Sequence, residues 1–180
     1  MQSDIGQLPA RGSDAIEILV NDHQVVKSLL ERLTKAHETT QRQSVLEQLK
    51  AALTVHNATE ENLVYPAINK VARKKWESQR LYHETAEAAV IIFELDTMLK
   101  EGDESDFERK SEKLRDAILE HIDDEENSAF PHLRENAEPQ EAQMLTESVR
   151  EFRNALRFAP SGRPSTERGA IERQRSSSNL

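Results

Sequence analysis

HNATEENLVYP, residues 56–66, returns further along the chain as HIDDEENSAFP, residues 121–131. Both read His-x-x-x-Glu-Glu-Asn-x-x-aromatic-Pro, with Tyr65 and Phe130 as the aromatics. In each, the histidine and the first glutamate (His56 with Glu60, His121 with Glu125) stand four residues apart. On a helix that spacing stacks two side chains on one face, about 6 Å apart along the axis. A further histidine precedes each copy, His23 the first and His83 the second. A histidine-bearing segment followed by this motif, occurring twice, predicts two similar helical hairpins.

Glycine and proline set the bounds of those helices. Between Gly12 and Pro160 they occur only as Pro66, Gly102, Pro131 and Pro139. The stretches between them are rich in Ala, Leu, Glu, Lys, Gln and Arg, which favour helix on propensity. The first helix is expected from Asp14 to His37, with Asp14 as N-cap and Glu17 three residues on. His23 shares its apolar stripe with Ile16, Leu19, Val26, Leu30 and Leu33. The second is expected from about Thr40 to Tyr65, ended or kinked by Pro66, which lacks a donor and clashes with the preceding turn. The third covers Trp76 to Lys100, with His83, Ala86, Glu87, Val90 and Met98 near one face. The fourth begins after Ser105 and aligns Phe107, Leu114 and Ile118 with His121 and Glu125.

Two such hairpins predict an all-α four-helix bundle with approximate two-fold symmetry, each helix burying its stripe. A fifth amphipathic segment after Pro139 carries Leu145, Val149, Phe152 and Leu156 and is expected to pack on the bundle. Residues 13–158 then form one domain, between a flexible N-terminus (1–12) and a disordered tail (159–180) that is polar and Arg/Ser-rich.

Composition narrows the function. The chain of 180 residues has no cysteine, which excludes disulfides, thiolate metal sites and cysteine nucleophiles. Its net charge of −9 counts against phosphate contacts and so against a nucleic-acid partner. The longest apolar run, Ala88 to Phe93, is far too short to span a membrane. With no apolar stretch near the N-terminus to act as a signal peptide, a cytoplasmic protein is the default expectation.

His37 and His132 read as ordinary histidines, one closing a helix and the other beyond a proline. His23, His56, His83 and His121 differ, because each sits on an apolar stripe. Burying four imidazoles and two carboxylates unpaired would cost several kcal/mol per charged group. A duplicated set calls for cations between them. Imidazole and carboxylate without thiolate suit iron, manganese or zinc, and carboxylates facing each other across a bundle can bridge two ions, which favours iron.

The ordered set His23, His56 with Glu60, His83, and His121 with Glu125 resembles the hemerythrin family, in the branch called the HHE cation-binding domain. The likeness spans about Asp14 to Arg134. It implies an antiparallel up-down-up-down bundle around a non-haem di-iron centre, oxo- or hydroxo-bridged. By that likeness His23 and His56 bind one iron, His83 and His121 the other, and Glu60 and Glu125 bridge both. The chain departs from the oxygen carriers, which have a fifth histidine where Glu87 stands. Glu87 on the second iron would favour Fe(III) and count against reversible oxygen carriage.

The metal ligands expected are therefore His23, His56, Glu60, His83, Glu87, His121 and Glu125. Open coordination positions imply a small partner: dioxygen, peroxide or nitric oxide. One reading is a binding protein in sensing, iron handling or stress response; the other is a di-iron enzyme disproportionating hydrogen peroxide. Tyr65, nine residues past His56 and about 13 Å along the axis, is expected as a core aromatic beyond ligating reach. Glu61 and Glu126 are expected in solvent, with a hydrogen bond to a ligand histidine as the alternative, and Asp22 and Tyr82, which flank ligands, are candidates for the same supporting role.

Overall fold

The structure, a computed structural model, describes residues 8, 10–71 and 76–158, with side chains for all of these except 76–78 and 157–158. The expectations for residues 1–7, 9 and 159–180 lie outside the described residues.

Every regular element among the described residues is helical: α1 (Ala15–Thr34), α2 (Thr39–Thr59), α3 (Tyr65–Val71), α4 (Trp76–Glu101), α5 (Phe107–Asp124), α6 (Phe130–Asn136) and α7 (Pro139–Phe158). Asp14 caps α1 as its sequence suggests, its carboxylate accepting from the Glu17 N–H at 2.8 Å. That helix stops at Thr34, short of His37. Thr40 is not a cap, since α2 already starts at Thr39 behind Glu38. Gly102 ends α4 with φ of 74°, a left-handed conformation that glycine adopts without penalty.

Pro66 and Pro131 do not end their helices. A π turn, Glu60–Val64, joins α2 to α3, and another, Glu125–Ala129, joins α5 to α6. In each, the aromatic N–H reaches back five residues, Tyr65 to the Glu60 carbonyl and Phe130 to the Glu125 carbonyl. Returning from five-residue to four-residue bonding leaves a carbonyl over, and the proline stands where no donor is required. In the first turn the Tyr82 hydroxyl donates to the Glu61 carbonyl at 2.9 Å. The repeated sequence is thus a repeated π turn, each beginning at the motif's first glutamate.

α1 packs on α2 and α5, and α4 packs on the same two, so four helical segments close a ring. α7 lies against α1, α2 and the first π turn. The apolar core falls into two clusters. One holds Val26, Leu30, Leu49, Leu95, Phe107 and Leu114; the other holds Ile18, Leu19, Val64, Ile68, Phe130 and Val149. Each fully buried aliphatic side chain contributes about 1.5–3 kcal/mol. Along α1, His23 sits between Leu19 of one cluster and Val26 of the other, so the polar residues form a layer between them.

Candidate metal centre

His23, Glu60 and Glu125 are fully buried, and His56 is nearly so. Their ligand atoms lie within 4.8 Å of one another. His23 Nε2 is 3.2 Å from Glu125 Oε2, and His56 Nε2 is 3.1 Å from Glu60 Oε1. These atoms crowd together without satisfying one another: His23 Nε2, Glu60 Oε1 and Glu125 Oε2 are buried and make no hydrogen bond. Buried polar atoms are almost always paired. Three imidazole and carboxylate atoms converging unpaired fit a cation.

The other oxygens of the same two carboxylates face a second group. Glu125 Oε1 accepts from the Tyr65 hydroxyl at 2.9 Å and lies 3.5 Å from His121 Nε2. Glu60 Oε2 is 3.3 Å from the Tyr65 hydroxyl, which is itself 3.4 Å from His121 Nε2. Each carboxylate therefore offers one oxygen to His23 and His56 and the other to His121 and Tyr65. Tyr65 lies within reach for two reasons that straight axial distance ignores. Helical side chains lean toward the N-terminus. The π turn also brings residues five apart onto one face, where an α-helix would set Glu60 and Tyr65 about 140° apart.

Each histidine is aimed by a carboxylate on its other nitrogen. His23 Nδ1 meets Glu126 Oε1 at 2.8 Å, His56 Nδ1 meets Asp22 Oδ2 at 3.3 Å, and His121 Nδ1 meets Glu84 Oε2 at 2.9 Å. A cation backs each carboxylate: Lys27 on Glu126 at 3.1 Å, Arg153 on Asp22, and Arg80 near Glu84 at 3.5 Å. Carboxylates that hold the far nitrogen of a histidine fix its tautomer and aim its free nitrogen at a metal. Phe130 stacks on the His23 ring, centroids 5.8 Å apart and planes 9° from parallel.

Electrostatics follow from this crowding. Burial, then the neighbouring Glu125, pushes the Glu60 carboxyl well above the usual range. Burial pushes Glu125 up too, but the imidazoles of His23, His121 and His56 outweigh it and hold Glu125 low. Burial lowers His56 despite its bond to Asp22, which favours the neutral ring that a metal needs. Burial, then Glu60 and Glu125, pushes the Tyr65 hydroxyl far up. A bound cation would reverse that direction.

His83 and Glu87 are not brought to this centre, which corrects the ligand set expected from the sequence. Their side chains are 73% and 64% exposed and lie 3.4 Å from each other. α4 instead turns Leu81, Ala88, Ile91 and Leu95 inward, putting Val90 and Phe93 outside with His83. The run AAVIIF is apolar all round, so periodicity could not choose the inner face. Glu126 is also corrected: it bonds His23 rather than standing free in solvent. Glu84 was detectable only as the carboxylate beside His83. Arg153 was detectable as the residue four past Val149 on the inner stripe of α7.

A cavity of about 20 Å³ adjoins both histidine groups, lined by Val26, His56, Glu84, Thr85, Ile118 and His121. It has room for about one water-sized molecule.

Over 137 residues the chain is 24% identical to a DNA nickase of Nostoc sp. strain PCC 7120, an alignment covering 73% of this chain and 38% of that protein. The chain thus spans well under half of that relative's length. No solved structure matches it. Residues 14–133 match the Hemerythrin HHE cation binding domain, a span holding all three histidines of the centre, both shared glutamates and Tyr65. The chain belongs to the hemerythrin HHE cation-binding family.

Proposed function

We propose that this chain is a non-haem di-iron protein that binds dioxygen, peroxide or nitric oxide, in sensing, iron handling or stress response. The carrying observation is the pair Glu60 and Glu125, each presenting one oxygen to either side. His23 and His56 would hold one iron, and His121 with Tyr65 the other. Iron bound there supplies open coordination positions and one-electron redox chemistry. The chain's residues aim the imidazoles, exclude bulk water and leave one small cavity for an exogenous molecule.

The proposal includes an antiparallel up-down-up-down order, supported by the short connections 35–38 and 102–106. Glu87 gives no argument against reversible oxygen carriage, since it is exposed. Tyr65 takes its place in that argument, because a phenolate donor also favours Fe(III). No nucleic-acid or membrane partner is proposed: the net charge of −9 disfavours phosphate contacts, and no helix among the described residues is long and apolar enough to cross a membrane. The nickase activity named for the Nostoc relative belongs to a protein of which the alignment covers only 38%.

A second reading, disproportionation of two peroxides to two waters and dioxygen, is favoured by Glu84. Glu84 lines the cavity, its side chain is 21% exposed, and its carboxylate meets His121 Nδ1, so it links cavity, histidine and solvent.

Metal analysis and absorption spectra of the purified protein, reconstituted anaerobically with Fe(II) and then oxidised, test the proposal. Two irons per chain with charge-transfer bands and no haem Soret band are expected. One iron or none per chain overturns it.

A further inference from the structure

α7 buries an arginine where its stripe calls for an apolar residue. Arg153 is 1% exposed. Its Nη1 donates to Asp22 Oδ1 at 3.0 Å and its Nη2 to Asp22 Oδ2. Its Nε donates to Thr59 Oγ1 at 3.3 Å. Asp22, itself 2% exposed, meets His56 Nδ1, and Thr59 directly precedes Glu60. One guanidinium therefore holds both the carboxylate that aims His56 and the turn that begins at Glu60. Thr59 is pinned further by donating to the Val55 carbonyl at 2.7 Å.

Burying a charge pair is not an efficient route to stability, because desolvation offsets most of the attraction. A planar fork with five fixed donors is well suited to fixing geometry. Among the described residues, no buried guanidinium clamps the other half of the centre in this way. There Glu84 aims His121, but its cation Arg80 is 42% exposed and also pairs with Asp124. The clamp comes from α7, outside the repeat, so it makes the two halves unequal.

We infer that Arg153 is the positioning residue of the His23–His56 side, presetting His56 and Glu60 so that this side binds metal first and more tightly. Metal binding there and the docking of α7 are then linked, each strengthening the other. The inference rests on the two-sided centre proposed above.

Co(II) alone, titrated into the full chain and followed by its ligand-field spectrum, is the test. The native chain should fill in two steps. Arg153→Lys keeps the charge but loses the fork, and should weaken the first step tenfold to a hundredfold, the range for residues that orient metal ligands. Its second step should stay in place. Arg80→Lys should leave the first step alone. The paired variant Asp22→Asn with Arg153→Met removes both buried charges together, and should weaken the first step in the same way. Folded Arg153 variants with a native first step would overturn the inference. Should the variants not fold, hydrogen exchange of the native chain decides. Co(II) should slow exchange of α7 amides, and unchanged α7 protection would overturn the linkage. A single native step would remove the two-sided reading instead, leaving Arg153 judged by whether its variants shift that step. No Co(II) binding at all would overturn both.

Discussion

At the scale of single residues, Tyr65 carries the sharpest chemistry in the centre. Its hydroxyl touches both shared glutamates and lies near His121. Tyr65→Phe keeps the ring and its edge contact with Tyr82 while removing the oxygen. The iron-loaded variant is expected to lose a visible phenolate-to-Fe(III) charge-transfer band; an unchanged spectrum would restrict Tyr65 to hydrogen bonding. His56→Ala is expected to lower metal affinity by at least tenfold, whereas exposed His83→Ala should leave affinity and melting temperature unchanged, as metal titration and calorimetry of both will show. Glu60 sets the pH dependence. Its carboxyl is raised by burial and Glu125, so its contribution to metal-free stability is full below the unfolded glutamate range. That contribution is lost as pH rises through the raised value. Metal needs the ionised form, so the melting-temperature gain from metal should grow as pH rises above the unfolded glutamate range towards the raised value. A gain that stays flat or shrinks across that range contradicts the assignment.

At the scale of elements, the π turns explain both what the sequence discloses and what it hides. The repeat leads straight to His56, Glu60, His121 and Glu125, because a spacing of four has one meaning on a helix. The same arithmetic misplaces Tyr65, because a π turn has no simple signature beyond the prolines that follow it. α4 fails differently: with apolar residues on every side, its inner face is chosen by tertiary packing, which turns Leu81 and Ala88 inward and His83 outward. Asp22 and Glu126 stand next to motif residues and so admit a supporting bond to a histidine, whereas Glu84 and Arg153 read as ordinary charged residues until the fold sets Glu84 on His121 and Arg153 on Asp22. The helices themselves are legible from breakers and stripes, except that Pro66, expected to end or kink its helix, follows a π turn and does not end it. Proline inside a regular helix costs about 3 kcal/mol. Here the wide turn accommodates the ring, so Pro66→Ala should change stability by less than about 1 kcal/mol in denaturant unfolding. A gain near the full proline penalty would mean that the turn gives no such relief.

At the scale of the whole molecule, two apolar clusters flank one polar layer. Each cluster buries side chains from several helices without help from the layer, so chelation should leave the helical circular dichroism intact. Each ion at a hundredfold excess over its Kd adds about 3 kcal/mol, which for a domain of this size raises the melting temperature by roughly 5–10 °C per ion. Calorimetry with and without chelator measures this directly, and collapse of the helical signal on chelation would show that the clusters do not suffice. The two-cluster layout also separates synthesis from loading. A chain that folds before it meets metal would take up ions after it is made and would release them without falling apart. Its filled fraction would then report how much free metal surrounds it, as a gauge does, at any time in its life.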